Sequence, residues 1–272
     1  MSRGPTEICL LTFVLQKHHC TILEDWLDFF DHPIKSLVLH VGADPKIREA
    51  LDEIAKRKSL ALVVLGTTTP QGTTDNELAL LVEQFQHVGA DDLACLVKLD
   101  TFPFREPGRT WQAETLQMMQ RQQALFITGS TLPYRADLPT DVPNLLLTQR
   151  VSNCFLIVSK NVWLRALETS FSGQSEFGRF APEGDFETYL ARTGQYGVRM
   201  VNTMESRIFH CHIWGPEQTK VRARFRQGRG VGPFLSGYQD DYWGPNAKLY
   251  MQKPLPLLKR VRIAIGRWRR GL

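Results

Sequence analysis

Leu93-Ala94-Cys95-Leu96-Val97-Lys98-Leu99-Asp100-Thr101-Phe102-Pro103-Phe104-Arg105 is the stretch on which the fold turns. Its first five residues form an apolar run, the pattern of a buried strand, and one carboxylate, Asp100, arrives as the run ends. Phe102-Pro103-Phe104 cannot continue a central strand, because proline has no N–H to give the ladder. In an alternating α/β chain, the carboxyl end of a buried strand is where ligands bind. An aspartate at that place can equally cap or tighten the loop.

Working outward, the same alternation repeats. Residues 7–16 read as a first buried strand, and 21–30 as a helix with Thr21 as N-cap and Glu24 as its capping-box partner. Ser36-Leu37-Val38-Leu39-His40-Val41 is a second strand, and Gly42-Ala43-Asp44-Pro45 is a tight loop opening a helix over 46–58. Residues 59–65 form a third strand, 75–86 a further helix, and then comes the Asp100 strand. Short apolar strands alternating with helices predict an α/β fold, a mostly parallel sheet flanked by helices.

Beyond Arg105 the pattern loosens. It predicts a helix over 112–123, a strand over 124–129, a proline-punctuated loop from Pro133 to Pro143 and a strand over 149–159. A short helix over 161–167 follows, then a mobile Gly/Ser-rich stretch over 170–182. Glu183, Asp185 and Glu187 precede a helix ending at Gly194, and 198–201 and 207–213 are further strands.

Composition narrows the classes. The 272 residues are 43% hydrophobic and 22% charged, which is ordinary for a globular chain able to bury a sizeable core. The net charge of +5 is concentrated after residue 219, so the basic surface belongs to the tail. Five scattered cysteines with no CxxC pair exclude a zinc or disulfide framework and imply a reducing compartment. Residues 8–15 read as a strand, not a signal peptide, and no apolar run reaches transmembrane length. No GxxxxGK[ST] occurs, which excludes a P-loop, and Gly228-Arg229-Gly230-Val231-Gly232 lacks the dinucleotide spacing.

Four features carry chemistry: the His40–Asp44 turn, Lys98 with Asp100, the Glu183/Asp185/Glu187 trio, and His210 with His212. Histidines at i and i+2 of a strand share a face, so both can approach one ion or phosphate, or form a half-buried structural pair. Imidazole and carboxylate together suit Mn or Zn, and oxygen-only sites suit Mg. An acidic trio at a helix start also compensates the helix dipole.

In this order the features resemble family 2-type glycosyltransferases of the GT-A fold, over about residues 6–215. Residues 8–16, ending in Gln16, look like their first nucleotide-contacting strand. Residues 37–44, with His40 and Asp44, look like the turn that holds base and ribose. The helix and strand ending in Lys98-Leu99-Asp100 are similar to the segment leading to the metal-binding DxD motif. Glu183-Gly184-Asp185 looks like the "ED" element that carries the catalytic base of inverting members. His210 and His212 fall where such enzymes keep a histidine near the diphosphate or metal. The resemblance implies a nucleotide-sugar donor bound by Gln16, His40, Asp44, Lys98 and Asp100. It further implies Glu183 or Asp185 as base, a divalent metal (Mn or Mg) on Asp100, His210 and His212, and inversion. Phe102 stands where the second acid of DxD belongs, which weakens the metal expectation, and Gly184 splits the "ED" pair.

Residues 253–272 differ in character. Leu257, Leu258, Val261, Ile265 and Trp268 can share a helical face, with Lys259, Arg260, Arg262, Arg267, Arg269 and Arg270 around it and no acid present. That is the composition of a helix lying on an anionic membrane surface; docking on the protein's own core is the alternative. No recognition motif accompanies the charge, which argues against nucleic acid as a partner. The expected organisation is a transferase domain over 6–215 and a basic, aromatic extension over 216–272. The expected place is the cytoplasmic face of a membrane, and the acceptor a glycan or lipid-linked glycan. The competing reading is a non-catalytic GT-A-like protein that binds membrane or nucleic acid through the tail.

Overall fold

The computed structural model describes residues 7–129, 137–170, 181–211 and 216–228, with backbone alone at 167–170, 181, 182, 185 and 216. The chain divides into two compact units, Met1–His210 and Cys211–Leu272.

In the first unit the elements run β1 (Ile8–Val14), α1 (His19–Phe29), β2 (Ser36–Val41), α2 (Pro45–Lys58), β3 (Ala61–Thr67), α3 (Pro70–Gln86), β4 (Leu93–Val97) and β5 (Thr101–Arg105). They continue with α4 (Gln112–Arg121), β6 (Phe126–Thr128), β7 (Leu138–Pro139), β8 (Leu145–Thr148), β9 (Phe155–Ser159), α5 (Lys160–Ser170), α6 (Ala181–Thr193), β10 (Gly197–Met200) and β11 (Ser206–His210). Nine strands form one sheet in the order β3-β2-β1-β4-β9-β6-β10-β8-β7, in which only β9 and β8 run against the rest. The mostly parallel sheet is as the alternation predicts. The second unit contributes α7 (Pro216–Arg226) among the described residues.

The central strands β2 and β4 are buried at every position, which is why they read as unbroken apolar runs instead of alternating ones. One core layer gathers Phe85, Trp163, Phe126 and Phe186; the Phe85 and Trp163 rings stack at 5.6 Å. Such a pair adds about 0.5–1.5 kcal/mol to its area burial. A second aromatic group, Trp26, Phe29, Trp111 and Phe155, joins α1 to β9 and the start of α4. Arg105 closes the end of α1, donating to the carbonyls of Asp28 (2.8 Å), Phe29 (2.8 Å) and Phe30 (3.2 Å), a cation where the helix dipole favours one.

Several boundaries differ from the sequence reading. Helix α1 begins at His19, not behind a Thr21 cap, because backbone turns from His19 to Gln16 and Cys20 to Lys17 already wind the chain; no side chain caps it. Strand β3 starts at Ala61, since Ser59 is the left-handed cap of α2 at φ 54°. Helix α3 starts at Pro70, five residues ahead of expectation, with the Thr69 hydroxyl accepting from Gly72 N–H at 3.0 Å and proline at the first helical position. Helix α6 begins at Ala181, so Glu183, Asp185 and Glu187 lie within its first turns instead of ahead of it. The stretch 171–180, expected to be mobile, lies outside the described residues.

Pro103 shows how the deciding stretch resolves. The chain leaves the large sheet after Val97 and enters a separate two-stranded ribbon, β5 with β11, where Pro103 faces Ile208. An edge ribbon tolerates the missing N–H that a central strand does not.

Candidate functional site

The turn between β4 and β5 is the pivot. Thr101 N–H donates to the Lys98 carbonyl at 3.0 Å, and the Trp26 indole N–H donates to the Thr101 carbonyl at 3.2 Å, pinning the turn to α1. This holds Asp100 buried at the corner. The ribbon register then places His210 opposite Thr101, with its Nε2 3.0 Å from Asp100 Oδ2. The other ring nitrogen, Nδ1, lies 3.2 Å from Cys154 Sγ, just ahead of β9. Three distant segments thus meet in one chain, Asp100–His210–Cys154. Burial works against charge on His210, but Cys154 and Asp100 outweigh it and pull the pKa up to about 10. In the protonated ring both nitrogens donate.

A second network adjoins the first. Lys98 Nζ donates to Glu77 Oε1 on α3 at 3.0 Å, and the Asn153 side-chain amide donates to the same oxygen at 3.2 Å. Asn153 backbone N–H donates to Glu183 Oε1 at 2.5 Å, and one turn later Glu187 accepts from Val151 N–H at 2.9 Å. The acids of α6 therefore clasp the loop that delivers Asn153 and Cys154. Burial pushes the Glu183 carboxyl up, opposed by Lys98 and by the Asn153 amide. Burial also opposes the Lys98 charge, yet Glu77, Cys154 and Glu183 together raise its pKa above the ordinary lysine value.

The loop after β1 forms another wall. Leu15 N–H donates to His19 Nδ1 at 3.2 Å, which leaves Nε2 to carry the proton of the neutral ring. Burial, aided by His18, lowers the His19 pKa to about 4, with Asp100 pulling the other way. Gly42 lies so close to this loop that a Cβ there would sit 2.3 Å from the Leu15 carbonyl oxygen. Gln16, half-buried, turns the chain by accepting from His19 N–H at 3.0 Å through its carbonyl.

The structure therefore brings together Lys98, Asp100, His210 and Glu183. His40 has other company: it is buried, stacked on Phe13 at 5.8 Å and 3.4 Å from Glu83 of α3. Burial lowers its pKa, with Glu83 opposing. Asp44 is exposed and caps α2, accepting from Lys46 N–H at 3.0 Å. The side chain of Asp185, His212 and the tail 253–272 lie outside the described residues. Cys154, within the strand expected over 149–159, and Glu77 carry no local mark of a site role; a Lys-x-Asp at a strand end, which needs a counter-ion, is the available signal.

The sequence matches no protein-family model and no curated protein. Among solved structures the chain is similar to the mannosyltransferase PcManGT from Pyrobaculum calidifontis, in complex with GDP-Man and Mn2+. The match has a TM-score of 0.51 at 12% identity and covers 97% of this chain and 82% of that one. It is similar also to GalNAc-T7 with UDP, GalNAc and Mn2+, at TM-score 0.53 and 8% identity, covering 90% of this chain and 54% of that one. The fold is GT-A.

Within the GT-A frame both neighbours hold Mn2+, so the donor set of this chain can be tested against such an ion. Among the described residues no three His, Cys, Asp or Glu side chains cluster to hold a metal. Phe102, at the second acid position, is fully buried opposite Phe209. Of the described ligand candidates only Asp100 and His210 stand together, and they are joined to each other and to Cys154 instead of facing a shared third acid.

Proposed function

We propose that this GT-A chain is a glycosyltransferase moving a sugar from a nucleotide-activated donor to a glycan or lipid-linked acceptor, with inversion. The observation that carries the reading is the convergence of Lys98 and Asp100, His210, and Glu183, from three separate segments, at the β4–β5 corner. The two neighbours' complexes with GDP-Man and UDP support a nucleotide-diphosphate donor. In a single displacement the leaving diphosphate gains negative charge, which preorganised donors at the corner would stabilise. A carboxylate at the start of α6 would take the proton of the attacking acceptor hydroxyl. Glu183, its pKa raised by burial, has the affinity for that proton, and Asp185 shares the turn.

The proposed transferase domain is 6–215 and the extension 216–272, whose basic terminal segment would hold the enzyme on an anionic membrane surface at its cytoplasmic face. No helix among the described residues is long and apolar enough to cross a membrane. Calorimetric titration with UDP and GDP, wild type against Asp100→Ala, tests the donor reading: binding lost in the variant supports it, and no binding by the wild type overturns it. Deleting 253–272 should abolish sedimentation with anionic liposomes; unchanged sedimentation rejects the membrane role.

A further inference from the structure

Among the described residues at the corner, Lys98 is paired with Glu77 and His210 with Asp100. Lys98 is two residues ahead of Asp100 in the same turn. Its backbone is held at both ends, N–H to the Cys154 carbonyl at 3.4 Å and carbonyl to Thr101 N–H at 3.0 Å. Its side chain keeps 25% exposure, and the ammonium is anchored on Glu77. The acid that a divalent ion would use is gone. Phe102 occupies that position with 0% exposure, and a carboxylate there would be buried without a partner. The remaining acid, Asp100, has Oδ2 engaged by His210, and the far nitrogen of that ring is engaged by Cys154. An ion on Asp100 Oδ2 would have to displace His210 from that oxygen.

Resting on the transferase reading above, we infer that Lys98 supplies from the protein itself the positive charge that a divalent cation brings to a leaving diphosphate, so that this chain binds a nucleoside diphosphate without metal. Lysine is cationic at neutral pH and is an established kind of phosphate binder, acting as a point charge. Without donor, Glu77 occupies the ammonium at 3.0 Å. When the diphosphate arrives, its oxygens take the place of Glu77 on Nζ. Glu77 keeps its second donor, the Asn153 amide at 3.2 Å, so the exchange leaves no carboxylate stranded. The Asn153 loop, clasped by Glu183 and Glu187, holds Glu77 at the right distance for that exchange.

The experiment is titration calorimetry of the full chain with UDP and with GDP, in EDTA and in MnCl2, on wild type, Lys98→Met and Lys98→Arg, with thermal melts of each. The expected result is equal wild-type affinity in the two buffers, within about twofold, and a loss of about tenfold or more in Lys98→Met with binding retained in Lys98→Arg. Binding in EDTA that Lys98→Met leaves unchanged removes Lys98 from the role and overturns the inference. Affinity that EDTA abolishes, or that Mn raises about tenfold, also overturns it while leaving the transferase reading standing. No binding of either nucleotide in either buffer overturns both. The wild-type comparison needs no variant, so a poorly folding Lys98→Met does not shield the inference.

Discussion

Acid should unfold this protein partly through one buried ring, His19. Its Nδ1 accepts from Leu15 N–H at 3.2 Å, the ring is 1% exposed, and its pKa is lowered to about 4 from 6.5. A proton on Nδ1 would lose that acceptor and place charge in the core, against the edge of His18 at 4.7 Å, with Asp100 and the Phe13 backbone compensating in part. The unfolded chain protonates His19 below about pH 6.5 and the folded chain only near pH 4, so between these the unfolded state binds more protons and stability rises with pH. The lowering from 6.5 to about 4 corresponds to about 3 kcal/mol, of which about 2 is lost between pH 7 and pH 4.5. Urea unfolding of wild type and His19→Gln at pH 7, 5.5 and 4.5 reads the difference. Glutamine can accept from Leu15 N–H without titrating, so carboxylate effects cancel and the variant should lose about 2 kcal/mol less over this range. Equal loss in both proteins would refute the argument.

Other outcomes follow from the same geometry. Gly42→Ala should cost about 1–3 kcal/mol or more in urea unfolding, because its Cβ would meet the backbone oxygen of Leu15 at 2.3 Å and backbone cannot simply rotate away. Arg199→Met should destabilise by about 3–5 kcal/mol, since it strands the Asp137 carboxylate, 2.9 Å from Arg199 Nε and buried with it. Cys154→Ala should bring the His210 titration, followed by NMR of the ring, down from about 10 toward neutrality, because Cys154 is the foremost partner holding it up; an unmoved titration would assign the shift to Asp100 alone.

What the sequence disclosed depended on whether the information was local. Strand β2 was legible to its end residues, because a fully buried strand is a continuous apolar run. The start of α1 was not, because a backbone turn and not a capping side chain begins it. Phe102-Pro103-Phe104 correctly signalled departure from the central sheet, but not that the departing chain pairs with residues more than a hundred positions later. The short β7–β8 hairpin was missed, since two exposed residues carry no periodicity. At the site, Asp100 and His210 were named as one group and do meet. His40, which the resemblance places at the donor, lies on the face covered by α3, 3.4 Å from Glu83. Glu77 and Cys154 acquire their meaning only from neighbours distant in sequence.

The strand order has a consequence for the newborn chain. Strand β4 pairs with β1 on one side, already made when β4 leaves the ribosome, but on the other side with β9, which begins only at Phe155. At the ~5–20 residues per second of translation, the open side of β4 waits on the order of several seconds for its neighbour. During that wait an apolar edge, Leu93 to Val97, is available to any other extended segment. Slowing synthesis between β4 and β9, or lowering the chaperone supply, should therefore reduce yield more than slowing it after β9, even though the finished protein is the same.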